Sequence, residues 1–232
     1  MKHLITLLIL ITGLSATAQK STETIGSFTK IDVFGPFEVE LIKADRESLE
    51  LDYRGIDPEH IVTEVNRGEL KLKLRNKHYM NEWKDDFPRS KYIRAKVYYT
   101  ELTDLRAQAG AEIFSQGTLK SRNLALDCSM GAVMQLDVVS KNLYTKANMG
   151  AEVNLTGQAE TFEVKANMGA VLKASQLLSK IVYVNANMGA EVKVKALDEI
   201  EVSAGFGATV DYTGNPNVRH TNRNFGAEVR RY

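Results

Sequence analysis

From about residue 105 onward, apolar and polar residues alternate one for one, and the alternation restarts at a fixed interval. Phe162, Val164, Ala166, Met168, Ala170 and Leu172 alternate with Glu163, Lys165, Asn167, Gly169 and Val171. The same phase holds from Leu124 to Leu136, from Val182 to Val194 and from Ile200 to Tyr212. A period of two predicts strands with one face buried; helices need spacings of three and four, which are absent here. Each repeat carries a Gly-Ala pair, beginning at Gly110, Gly131, Gly150, Gly169, Gly189, Gly207 and Gly226. The steps between these glycines are 21, 19, 19, 20, 18 and 19 residues. Such a period marks a stacked-repeat architecture. One coil of this length cannot bury its own inner face, whereas coils stacked in parallel roughly 4.8 Å apart can. The expected fold is all-β, a parallel solenoid with coils of 19 to 20 residues.

Stacking places like residues over like. Met130, Met149, Met168 and Met188, continued by Phe206 and Phe225, are predicted to form an inward ladder, with the alanine after each glycine forming a second, tighter one. Gly131, Gly150, Gly169, Gly189, Gly207 and Gly226 either bend the chain at a corner or supply a dihedral closed to other residues. Asn148, Asn167, Asn187 and Asn224 precede their glycines by two positions, with Ser129 and Gly205 interrupting the series. Asparagines in register can stack amide on amide. By strand parity they point outward, an assignment that reverses if the bend falls just before Met.

Residues 19–104 are strand-rich but irregular, and are expected to form opening coils or a cap of a single domain over 19–232, with the regular repeat at 105–232. A cap is physically needed, because a bare parallel edge recruits other chains. The stretch 76–90 sets Tyr79, Trp83 and Phe87 among Lys84, Asp85, Asp86 and Arg89. Its rings either form a contact loop or fold back to plug the rod.

Composition narrows the function classes. With 44% hydrophobic and 25% charged residues the chain is not of disordered type. Residues 1–18 read as a signal peptide: a basic start at Lys2, an apolar run from Leu4 to Leu14, and Ala16-Thr17-Ala18 before the cut. That run is too short to span a bilayer, so no transmembrane segment is expected after signal removal. The net charge of +1 falls to zero without Lys2. Neutrality excludes an electrostatic nucleic-acid binder. Cys128 is the sole cysteine and falls in a column of alanines, which predicts a small core residue rather than a nucleophile.

Phe28 to Val33, Phe37 to Leu41, Thr63-Glu64-Val65 and Gly68 to Leu72, followed by the glycine-marked repeats, resemble the secreted Bacteroidetes proteins with an autotransporter-adhesin head GIN domain (DUF2807). The resemblance covers about residues 26 to 227. It implies a right-handed parallel β-helix-like fold, an extracytoplasmic location and no established activity.

The residues offer little chemistry of their own. His60, His78 and His220 lie at no metal-ligand spacing, and no Gly-rich phosphate loop or Gly-x-Ser-x-Gly elbow occurs. No catalytic residue, metal or cofactor is expected. Glu152, Glu191 and Glu228 recur two coils apart, roughly 9 to 10 Å, which leaves a polysaccharide-cleaving β-helix as an alternative. The leading expectation is a non-enzymatic, exported, adhesin-like module in the periplasm or on the outer cell surface. Its partner would be an envelope component, a glycan or a protein. A self-assembling envelope scaffold is the other reading, so self-association is a further expectation.

Overall fold

The computed structural model describes residues 19–23, 25–75 and 91–232. The signal-peptide reading of 1–18 and the contact-loop candidates Tyr79, Trp83 and Phe87 lie outside the described residues. The first part of the chain contributes β1 (Gln19–Glu23), β2 (Lys30–Phe34), β3 (Phe37–Lys43), β4 (Ser48–Arg54), β5 (Ile61–Asn66), β6 (Glu69–Leu74), β7 (Tyr92–Tyr99) and β8 (Asp104–Gln108). Five long strands follow: β9 (Glu112–Ser129), β10 (Val133–Asn148), β11 (Glu152–Ala166), β12 (Val171–Ala186) and β13 (Glu191–Ala204). The last strands are β14 (Thr209–Thr213), β15 (Asn217–Arg223) and β16 (Glu228–Arg231).

Every long strand serves two walls. The first arm of β9 pairs in parallel with β3, and its second arm pairs in parallel with β8. From β9 to β13 each coil repeats this division, and β14 and β15 continue the two arms separately. Partners lie one repeat apart, as in Val133 with Glu152 and Leu143 with Phe162. The molecule is therefore a parallel β-solenoid, as the two-residue alternation predicts.

The opening coils do not follow chain order. β2 and β3 form a coil that lies between β8–β9 on one side and β6–β7 on the other, all parallel. β5 then pairs antiparallel with β6, β4 antiparallel with β7, and β1 antiparallel with β4. These reversed strands cover the edge of the parallel stack.

The two walls face each other across one apolar cluster running from Phe28 to Val210. Leu and Val fill its width, while the alanines after the corner glycines, Ala111, Ala132, Ala151, Ala170, Ala190 and Ala208, are fully buried. Thr145 and Ser179 are also fully buried, and neither hydroxyl has a hydrogen-bond partner.

The corners explain the repeated sequence. In Asn167-Met168-Gly169-Ala170 both central residues have positive φ, +51° and +68°, and the Ala170 amide donates to the Asn167 carbonyl at 3.2 Å. This is a four-residue turn of the primed kind, whose second central position suits glycine. The same turn recurs at each Gly-Ala pair. Coils are tied together there, because the amide of Gly131, Gly150, Gly169, Gly189 or Gly207 donates to the carbonyl of Met149, Met168, Met188, Phe206 or Phe225 on the next coil, at 3.0 to 3.1 Å.

The turn overturns the inward placement of the methionines. Met130, Met149, Met168 and Met188 are 39%, 49%, 47% and 56% exposed, so the ladder stands on the outside. Strand parity fails because Met and Gly leave the pleat together, while the alanine after each of these glycines, Ala132, Ala151, Ala170 or Ala190, stays fully buried. Asn148 is buried and Asn167 and Asn187 are half-buried, the reverse of the parity assignment.

Candidate functional site

The outer face of the second wall carries a mixed surface of aromatic, acidic, amide and basic side chains. One outward position recurs on every coil, six residues before the corner glycine. Register places Asp104, Ala125, Tyr144, Glu163, Tyr183, Glu201 and His220 there on successive strands. Between β10 and β13 the column thus alternates phenol and carboxylate. Tyr144 and Tyr183 are two strand spacings apart, roughly 9.6 Å.

Two more columns flank it. On one side Asn123, Asn142 and Thr161 stand on adjacent strands, and Asn142 Nδ2 donates to Asn123 Oδ1 at 2.7 Å. On the other side are Asp127, Lys146 and Lys165, with Lys146 Nζ 3.8 Å from Asp127. Lys165 Nζ sits 5.2 Å from the centre of the Tyr144 ring and 3.1 Å from Glu163. Its pKa is raised, first by the hydrogen bond to Glu163 and then by charge interactions with Tyr144 and Glu163. Tyr144, Lys165 and Glu163 are thereby joined across two coils.

These columns shape a run of hollows. A shallow groove of about 480 Å³ is lined by Thr103, Asp104, Asn123, Asn142, Tyr144 and Glu163, among others. A smaller hollow of about 180 Å³ adjoins it through Glu163 and reaches Tyr183 and Glu201. Another of about 180 Å³ adjoins it through Asp104 and Tyr144 and reaches Arg106 and Asp127. The surface can stack flat apolar faces on two phenols and offer amide and carboxylate groups beside them.

The other sequence candidates fall elsewhere. The Met and Gly positions make the corner, and the Asn positions line it: Asn167 Nδ2 donates to Asn148 Oδ1 at 3.2 Å, whereas Asn187 turns to Asn185 at 2.6 Å. On the first wall Glu152 and Glu191 are separated by Val171, and Glu191 and Glu228 by Thr209. Hydrogen bonds from Lys173 Nζ, at 2.7 Å, and from Asn154 hold the Glu152 carboxyl below its ordinary pKa. Cys128 is fully buried, its thiol donates to the Ala132 carbonyl at 3.3 Å, and burial pushes its pKa up to about 12. The Tyr144 column escaped the sequence reading, although its constant offset from the corner glycine was visible there.

Residues 27–216 match the family described as "Putative auto-transporter adhesin, head GIN domain", and the chain belongs to that family. The fold is shared with a "putative adhesin" from Bacteroides fragilis NCTC 9343, at TM-score 0.83 and 13% identity over 94% of this chain and 98% of that one. A "putative adhesin" from Parabacteroides merdae ATCC 43184 gives TM-score 0.70 and 13% identity, covering 93% and 96%. A "Putative lipid binding protein" from Parabacteroides distasonis ATCC 8503 gives 0.65 and 15%, covering 92% and 96%. At these identities the likeness is one of fold. No curated protein matches the chain. No helix among the described residues is long and apolar enough to cross a membrane.

Proposed function

We propose that this chain is an exported, non-enzymatic, adhesin-like module that holds a neutral glycan of the cell envelope against the outer face of its second wall. The observation that carries the reading is the Tyr144, Glu163, Tyr183, Glu201 column, whose first two members line the groove and whose last two line the hollow that adjoins it through Glu163. Sugar rings present apolar C–H faces that stack on aromatic rings, and hydroxyl edges that bond to carboxylates and amides. Two phenols roughly 9.6 Å apart suit a ligand that repeats along the rod. The near-zero net charge favours a neutral ligand over a polyanion. The leader-like pattern of residues 1–18 and the family's description support action outside the cytoplasm, in the periplasm or at the outer surface.

A binding role also fits the carboxylates better than catalysis does. A glycosidase acid needs a raised pKa, and Glu152 is shifted the opposite way. Glu163 is engaged by Lys165. A glycan array probed with the intact chain and with Tyr144→Ala and Tyr183→Ala tests the reading. Retention of neutral polysaccharides by the parent and loss in both variants is expected. Retention unchanged by the variants moves the site off this wall, and cleavage of any bound glycan contradicts a purely binding role.

A further inference from the structure

The exposed methionines ask for a reason of their own. Met130, Met149, Met168 and Met188 occupy left-handed backbone, with φ between +51° and +56°. That conformation suits Gly, Asn or Asp and costs other residues about 1 to 2 kcal/mol each. Burial does not offset the cost, since the side chains stand 39% to 56% exposed. Neither local conformation nor the core accounts for an unbranched thioether four coils running.

We propose that this ridge is a binding site for a soft monovalent cation, Cu(I) or Ag(I), held between methionine sulfurs of adjacent coils. Thioethers are neutral, polarizable donors that select soft ions over Ca²⁺ or Mg²⁺. The amide-to-carbonyl bonds between consecutive corners, Gly131 to Met149, Gly150 to Met168 and Gly169 to Met188, fix the four residues on successive rungs. The rungs are roughly 4.8 Å apart. Taking the roughly 2.3 Å that zinc makes with cysteine sulfur as the scale of a metal–sulfur bond, a two-coordinate ion needs its sulfurs on the order of 4.6 Å apart. The rung spacing therefore matches a linear S–metal–S bridge, and the three flexible torsions of each side chain supply the remaining adjustment. Charge near the ridge is mixed. Glu152 and Glu191 follow their corners by two residues and Lys146 and Lys165 precede theirs, so the donors themselves must supply the affinity.

The test follows methionine methyl signals in the intact chain, carrying Cys128→Ala, during titration with silver nitrate in chloride-free buffer. The expected result is movement of the Met130, Met149, Met168 and Met188 signals, saturating near two ions per chain, while buried Met134 stays still. The pair Met149→Leu with Met168→Leu keeps the apolar bulk and should weaken binding at least tenfold with the fold intact. A thioether has no proton to lose, so binding should be equal at about pH 6 and about pH 8, unlike a histidine site. Signals that do not move, or an affinity unchanged in the Leu pair, overturn the proposal.

Discussion

The amide of Gly150 donates to the carbonyl oxygen of Met168, one coil ahead, at 3.1 Å. The bond exists because the residues on either side of it share one backbone shape: Met149 and Gly150 at φ +52° and +70°, Met168 and Gly169 at +51° and +68°. The corner is thus part of the ladder as well as a reversal of the chain.

Glycines at two kinds of bend should respond differently to alanine. A Cβ on Gly169 would meet nothing within 4 Å, so Gly169→Ala carries only the left-handed penalty, about 1 to 2 kcal/mol. A Cβ on Gly157, at φ +106°, would lie 2.1 Å from the Val138 carbonyl oxygen. Gly157→Ala should cost more than about 3 kcal/mol or prevent folding. Denaturant titration of both variants checks the order, and equal losses would contradict it.

Met168→Asn should leave stability unchanged or raise it by up to about 1 kcal/mol, because Asn tolerates left-handed backbone. A loss above about 1 kcal/mol would mean that the methionine ridge supports the fold.

Thr145 faces inward on β10, between Leu126 on β9 and Val164 on β11, with an unpartnered hydroxyl. Thr145→Val keeps the branched shape and removes the buried polar group. A gain of about 1 kcal/mol in thermal or denaturant unfolding is expected. A loss would show that the hydroxyl is satisfied.

Cys128 should resist a thiol reagent in the folded chain and react on unfolding, since burial keeps it protonated at neutral pH. Fast labelling of the native protein at about pH 8 would contradict this placement.

The regular half of the fold was legible because one residue pattern is written repeatedly with its glycine in place. The methionine positions were misread for a local reason: counting by twos runs through a turn without noticing that Met168 and Gly169 have left the pleat. The opening coils were illegible for a topological one. Nothing local to Lys30–Phe34 records that it lies between β6 and β8, or that Ser48–Arg54 runs against β7. The second-wall column was missed because tyrosine and glutamate on alternate coils look like unrelated surface residues until register aligns them.

Hydrogen–deuterium exchange of the intact chain, with and without a neutral polysaccharide retained on the array, locates the contact face directly. The account predicts slowed exchange in the second arms of β10 to β13, around Tyr144, Glu163, Tyr183 and Glu201, with the first wall unchanged. Protection confined to the first wall or to residues 76–90 would contradict it.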